Sequence, residues 1–84
     1  MEIEFTSKAL RQRRSIKRNF LLFERIETAL DAIAENPYEG KLLGGEWEGV
    51  RSYRVGDWRI LYKVFEKRLL VLVLSIADRK EAYR

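Results

Sequence analysis

The chain has 84 residues, of which 46% are hydrophobic and 12% aromatic, and its formal net charge is +4. This is enough apolar surface for one small domain, spanning residues 1–84, and it excludes a disordered segment. The absence of cysteine and histidine excludes disulfides, a histidine general base and the usual zinc sites, so neither a metal nor a cofactor is expected.

The net positive charge indicates an acidic or polyanionic partner. No stretch approaches about 18 consecutive apolar residues, and the N-terminal residues lack the apolar segment of a signal peptide. We therefore expect a cytoplasmic protein that has no membrane partner.

The first half of the chain predicts one strand and two helices. Alternation of polar and apolar residues predicts a strand at Glu2–Phe5, followed by capping residues at 6–7. Residues 8–18 carry positive charges and no acid, and they predict a helix with a basic face. In Phe20–Glu35 the apolar residues recur every three or four positions, which predicts an amphipathic helix that ends at Asn36-Pro37.

The second half predicts three strands in quick succession. Residues 36–49 contain four of the five glycines and predict a surface loop. Its apolar anchors are Leu42, Leu43 and Trp47. Strands follow at 50–55, Trp58–Phe65 and 69–76, and the last is apolar on both faces, which is typical of a central strand. This order predicts an α+β fold, in which a helical hairpin covers one face of the sheet, and residues 77–84 add one helical turn.

The two residues Gly56 and Asp57 predict a type II′ hairpin turn, because glycine stands first in the loop. Pairing Val55 with Trp58 places Arg54 directly opposite Arg59, on the face away from the helices. Like charges in such a pair are destabilising, so a sheet selected for stability alone would avoid them. There are three possibilities: both guanidinium groups extend into water, Asp57 or Glu48 neutralises one of them, or the pair binds an anion.

The end of the chain should approach the same hairpin. The strand at 69–76 runs antiparallel to Trp58–Phe65, so Arg79 emerges beside the turn, and Tyr83 lies one helical turn further on. We expect Arg54, Arg59, Arg79 and Tyr83 to converge. The planar guanidinium group fits two phosphate oxygens at once, so a phosphodiester is the predicted ligand.

Basic residues elsewhere could extend this surface along a nucleic-acid backbone. The candidate nucleic-acid-binding residues are Arg11, Arg13, Arg14, Lys17 and Lys80. The alternative for the first helix is an ordinary solvated charged face.

Three motifs carry a resemblance to a known family. They are Asn36-Pro37, the run RVGDWRILY at residues 54–62, and the R-x-x-x-Y pattern at residues 79–83. In this pattern the chain resembles the RelE/ParE superfamily of type II toxin–antitoxin toxins. The resemblance implies a β-α-α-β-β-β, RelE-like fold and, for the RelE-like branch, a metal-independent endoribonuclease that cleaves mRNA on the ribosome. It also implies a cognate antitoxin protein as a partner.

The resemblance also implies roles for individual residues. Arg54 occupies a basic position of the active strand, Arg59 that of the phosphate-binding arginine, and Arg79 and Tyr83 the late arginine and tyrosine. Two positions depart from the family: Asp78 stands where many relatives have histidine, and Ser52 where some have a second basic residue. The general base is therefore either Tyr83 or Asp78.

Two other functions are compatible with the same resemblance. One is a ParE-like toxin that inhibits DNA gyrase and has no nuclease activity. The other is an inactive homologue that only binds its antitoxin and operator DNA.

Overall fold

The computed structural model describes residues 1–83, which form one mixed sheet and two α-helices. The elements are β1 (Glu2–Phe5), α1 (Ser7–Ile16), α2 (Phe20–Glu35), β2 (Lys41–Leu42), β3 (Arg51–Val55), β4 (Trp58–Phe65) and β5 (Leu70–Asp78), with short 3-10 helices at Gly45–Trp47 and Glu66–Arg68. The strand order is β1-β5-β4-β3-β2. Only the β1–β5 pair is parallel within this sheet. The predicted α+β fold, with its helical hairpin and three-stranded meander, is confirmed.

The helix α2 forms where the apolar periodicity predicted it. Its buried residues are Ile26, Ala29, Leu30 and Ile33. The side chain of Asn19 caps the helix, because its Oδ1 accepts a hydrogen bond from the Leu22 N–H at 3.2 Å. This cap explains why α1 ends at Ile16 and not at residue 18. The N–H of Asn19 donates to the Ile16 carbonyl at 2.9 Å, which closes α1 and begins α2 within a single short turn.

Thr6 joins β1, α1 and β5. Its hydroxyl accepts a hydrogen bond from the Ala9 N–H at 3.1 Å and donates one to the Leu74 carbonyl at 3.1 Å. The first contact caps α1, and the second fixes the helix start against β5, where the β4–β5 register shifts next to Leu61. The hydroxyl of Thr6 therefore links the start of α1 to β5.

The sheet has two different faces. Buried apolar residues on one face form the main core with both helices; they are Val55, Ile60, Tyr62, Val71, Val73 and Ile76. Side-chain alternation places Ser52, Arg54, Arg59 and Leu61 on the other face, which we call the open face. Leu61 is nevertheless only 1% exposed. Ala82, in the chain after β5, is also buried, although both helices lie on the far side of the sheet.

Two details of the sheet differ from the prediction. Part of the predicted loop at 36–49 forms the short strand β2, which pairs Lys41 with Ser52 and Leu42 with Arg51. The strand β5 runs over Leu70–Asp78 and not over 69–76. Leu69 adopts a left-handed conformation with φ of 51°, so it belongs to the turn, and Asp78 still pairs with Trp58. As expected, β5 has a strand on each side.

Tyr62 holds the segment after α2 against the sheet. Its buried hydroxyl donates a hydrogen bond to the Pro37 carbonyl at 2.8 Å and accepts one from the Gly40 N–H at 3.0 Å. A β-carbon at Gly40 would lie 2.3 Å from this hydroxyl oxygen, so no larger residue fits there. Burial raises the pKa of Tyr62, which keeps the phenol protonated as a hydrogen-bond donor.

No helix within residues 1–83 combines the length and apolar character needed to cross a membrane.

We predict that Tyr62→Phe lowers the free energy of unfolding by about 1–3 kcal/mol, because two buried main-chain groups lose their partner. The matched control is Tyr38→Phe, which removes an exposed hydroxyl that donates to Glu66 and should cost less. Urea unfolding followed by circular dichroism measures both variants. Equal losses for the two variants would contradict the role assigned to Tyr62.

Candidate functional site

The hairpin between β3 and β4 has the predicted turn and register. Gly56 has a φ of 60°, whereas Asp57 lies outside the left-handed region, as a type II′ turn requires. Val55 pairs with Trp58, and Arg54 pairs directly with Arg59. The two arginines therefore face each other next to the turn, on the open face.

Both guanidinium groups converge on one carbonyl oxygen. Arg54 Nε donates a hydrogen bond to the Gly56 carbonyl at 3.1 Å, and one terminal nitrogen of Arg59 donates to the same oxygen at 3.3 Å and to the Trp58 carbonyl at 3.1 Å. No carboxylate among residues 1–83 lies within salt-bridge distance of either side chain. Each guanidinium group carries five N–H donors, so donors are left for a ligand. The pair forms a cationic site without a protein counter-ion in the described chain.

The C-terminal residues 79–83, which we call the tail, begin at the same turn. The N–H of Arg79 donates a hydrogen bond to the Asp57 carbonyl at 2.8 Å. A shallow surface pocket of about 320 Å³ lies here, lined by Asp57, Asp78, Arg79 and Lys80. The main chain thus brings Arg79 and Lys80 to the end of the sheet at which Arg54 and Arg59 meet. Both tail side chains are exposed.

Asp78 has a structural role at the base of the tail. Its Oδ1 accepts hydrogen bonds from the N–H groups of Lys80 at 3.0 Å and Glu81 at 3.1 Å, and the N–H of Ala82 donates to its main-chain carbonyl at 2.9 Å. These contacts form one turn of helical geometry, which confirms the predicted turn. The carboxylate caps this turn and is not paired with the guanidinium group of Arg79.

Tyr83 is placed by a contact with the loop between β2 and β3. Its ring lies edge-on to the ring of Trp47, with centroids 5.8 Å apart and an interplanar angle of 73°. Tyr83 is 42% exposed, so part of the ring is accessible to a ligand. Arg54 and Arg59 are therefore direct neighbours across the hairpin, and the main chain of Arg79 is bonded to their turn. Tyr83 contacts Trp47 instead.

The basic residues of α1 lie on the other side of the sheet. Arg13 makes a bidentate salt bridge with Glu27 of α2, in which its Nε donates at 2.8 Å, and its guanidinium carbon lies 4.8 Å from the centre of the Phe5 ring. The Arg13 side chain is therefore engaged in linking α1 to α2. Arg11, Arg14 and Lys17 are exposed and remain candidates for a separate basic surface.

Arg51 does not replace the basic residue missing at Ser52. Its guanidinium group donates hydrogen bonds to the Tyr38 carbonyl at 3.2 Å and the Gly40 carbonyl at 2.9 Å. It therefore stabilises the segment after α2, as side-chain alternation predicts. The residue that sequence reasoning missed is Trp47, which was expected only to anchor the loop. The sequence offered one signal for a role of Trp47, a large aromatic residue in a glycine-rich loop. Its contact with the tail could not be predicted, because it depends on the path of the main chain.

Comparisons with known proteins find relatives of this chain. A family model described as the ParE toxin of the type II toxin–antitoxin system parDE matches residues 3–83. Toxin RelE of Mycobacterium tuberculosis is 33% identical over 60 residues, which cover 70% of this chain and 62% of that protein.

Solved structures share the fold along nearly the whole chain. The RelBE2 toxin–antitoxin complex of M. tuberculosis matches with a TM-score of 0.78 and 28% identity, covering 93% of this chain and 96% of the other. A YoeB/ParE toxin from Agrobacterium tumefaciens matches with a TM-score of 0.84 at 19% identity, covering 94% and 99%. These matches confirm the resemblance to the RelE/ParE superfamily found in the sequence motifs.

We predict that Asp78→Ala loosens the tail, because two main-chain N–H groups lose their cap, which typically contributes about 0.5–2 kcal/mol. Trypsin cleavage after Arg79 and Lys80 should then accelerate, since proteolysis follows local opening. Asp78→Asn keeps an acceptor oxygen and should cleave at the wild-type rate. Cleavage after Lys67 and Arg68, at the far turn, is the internal control. An unchanged tail cleavage rate in Asp78→Ala would refute the capping role.

Proposed function

This chain belongs to the ParE toxin family of type II toxin–antitoxin systems, and we propose that it is an endoribonuclease that cleaves mRNA on the ribosome. The relation to Toxin RelE supports the nuclease branch. We also propose a cognate antitoxin protein as its partner, since one of the structures that share its fold is a toxin–antitoxin complex.

One observation carries the proposal: the Arg54 and Arg59 guanidinium groups share the Gly56 carbonyl and have no carboxylate partner in the described chain. Two adjacent cations on a solvent-accessible face favour binding of a multivalent anion. The main-chain contact of Arg79 with Asp57 adds a third arginine at this end of the sheet. A phosphodiester group fits because each guanidinium fork can donate to two of its oxygens.

The proposed reaction uses the RNA's own nucleophile. The 2′-oxygen attacks the adjacent phosphorus, the bond from phosphorus to the 5′-oxygen breaks, and the products are a 2′,3′-cyclic phosphate and a free 5′-hydroxyl. One proton leaves the 2′-hydroxyl and another reaches the leaving 5′-oxygen. Negative charge on the phosphoryl oxygens grows in the transition state, so arginines already aimed there accelerate the step. Arg59 and Arg79 have this role, and Arg54 helps to bind the phosphate.

Tyr83 is the proposed general base, or it orients the nucleotide. Asp78 is the weaker candidate, because its carboxylate already caps the tail through Oδ1. The two can be separated with Asp78→Asn, which keeps the cap and removes the basic oxygen. A cleavage rate near that of the wild type would assign the proton transfer away from Asp78.

We predict that Arg59→Ala and Arg79→Ala each lower the rate of transcript cleavage by about 100- to 1,000-fold, the usual effect of removing one donor to a developing oxyanion. Arg68→Ala, an exposed arginine at the opposite end of the sheet, is the matched control and should cleave normally. Cleavage of ribosome-bound mRNA is measured with purified components, and circular dichroism confirms the fold. Normal cleavage by both Arg59→Ala and Arg79→Ala would refute the site.

The match to a ParE family model keeps gyrase inhibition as the second candidate function. Expression of the chain without an antitoxin distinguishes the alternatives. Cleaved transcripts support the nuclease, whereas DNA breaks and an SOS response with intact mRNA support gyrase inhibition. Harmless expression would indicate an inactive homologue that only binds its antitoxin.

We further propose that Arg11, Arg14 and Lys17 contact the phosphate backbone of RNA away from the cleaved bond. They lie across the sheet from Arg54 and Arg59, so they would engage a different part of a large polyanion. In the proposed setting that polyanion is the ribosome. Lys80 lies beside Arg79 and would contact the RNA strand near the scissile phosphate.

We predict that replacing Arg11, Arg14 and Lys17 together by glutamine lowers the magnitude of the salt slope of RNA binding by about 2, since each single-strand phosphate contact contributes about 0.7. Replacing Lys67 and Arg68 by glutamine is the control, because these charges lie at the far turn. Filter binding between 50 and 200 mM salt, about the range in which such slopes are measured, gives the slopes. An unchanged slope for the triple variant would show that α1 is only a solvated face.

A further inference from the structure

We propose that Trp47 is a positioning residue that fixes the ring of Tyr83 beside the open face. This inference deepens the proposed nuclease function and rests on it for its catalytic consequence. The edge-to-face contact between the two rings, at 5.8 Å and 73°, has the geometry that aromatic pairs favour.

Hydrogen bonds fix the main chain on both sides of Trp47. It ends the 3-10 helix at Gly45–Trp47, in which its N–H donates to the Gly44 carbonyl at 3.2 Å, and its carbonyl accepts from the Val50 N–H at 3.0 Å. The Leu43 N–H in turn donates to the Val50 carbonyl at 2.8 Å. The turn is thereby closed between β2 and β3, and the indole ring is presented from a fixed part of the sheet.

Contacts at both ends of the tail hold it against the rest of the chain. At its start, Arg79 is bonded to the Asp57 carbonyl, and Asp78 caps the turn. Further along, Ala82 is buried and Tyr83 meets Trp47. The tail is therefore anchored at one end by hydrogen bonds to the hairpin and at the other end by an aromatic contact. Removal of the indole ring would loosen the end of the tail, including the turn that contains the Glu81 and Ala82 amides, and would leave Arg54 and Arg59 in place.

A fixed Tyr83 matters for the proposed reaction. A base, or a ring that stacks on a nucleotide, contributes most when its position is set before the substrate binds. Trp47 is only partly exposed, and it would act through Tyr83 without touching the reacting atoms. The structure thus divides the site into arginines placed by the β3–β4 turn and a tyrosine placed by the β2–β3 loop.

Hydrogen exchange tests the placement independently of any enzymatic activity. Trp47→Ala should accelerate exchange of the Glu81 and Ala82 amides by about 2- to 13-fold, the equilibrium factor that corresponds to one edge-to-face aromatic pair. Trp47→Phe should restore slow exchange, and Trp47→Leu, which keeps bulk without an aromatic edge, should not. Leu42→Ala, an exposed residue of β2 just before the same loop, is the control. Exchange that is unchanged in Trp47→Ala, relative to the amides of β4 and β5, would overturn the inference.

Cleavage kinetics test the catalytic consequence. We expect Trp47→Ala to lower kcat no more than Tyr83→Ala does, with Trp47→Phe close to wild type. The double variant Trp47→Ala/Tyr83→Ala should be no slower than Tyr83→Ala, because residues that act as a unit are not additive. Losses that multiply would show that Trp47 acts independently of Tyr83, and would overturn the inference. If the wild-type chain cleaves no RNA, the proposed function fails, and the exchange result still decides whether Trp47 places Tyr83.

Discussion

The two-residue turn at Gly56 and Asp57 is the constraint on which the candidate site depends. A loop of this length allows one register between β3 and β4, and that register sets Arg54 against Arg59. The main-chain carbonyl groups of the same two residues accept the hydrogen bonds that bring the arginines together. The Gly56 carbonyl receives both guanidinium groups, and the Asp57 carbonyl receives the Arg79 N–H. A slip of β4 by one residue against β3 would turn Arg59 toward the helical face and separate it from Arg54.

Electrostatics within this turn explain how two like charges remain side by side. A carbonyl dipole shared by both side chains offsets part of their repulsion, and water screens much of the remainder. The neighbouring strand places the small, uncharged side chain of Ala77 opposite Arg59, so it adds no further positive charge. The charges are therefore oriented before any ligand arrives, which limits the reorganisation that binding an anion requires.

Local rules in the sequence predicted the features that depend on neighbouring residues. The spacing of Ile26, Leu30 and Ile33 specified α2, and a glycine first in a two-residue loop specified the hairpin. Features that depend on distant pairing were not predictable in the same way. The strand β2 is two residues long and Leu42 is 57% exposed, so no hydrophobic alternation marks it. The partners of Arg13 and Tyr83 lie 14 and more than 30 positions away in the chain, beyond the reach of any periodicity.

The parallel pairing of β1 with β5 has a consequence for biosynthesis. Glu2 aligns with Leu70, and Thr6 bonds to Leu74 across a separation of 68 residues. At elongation rates of about 5–20 residues per second, the first strand waits several seconds for its partner to leave the ribosome. Arg79 follows β5 in the chain, so it reaches the Asp57 carbonyl only after that interval. The Arg54–Arg59 pair can therefore form before its contact with Arg79, because β3 and β4 meet within one short hairpin.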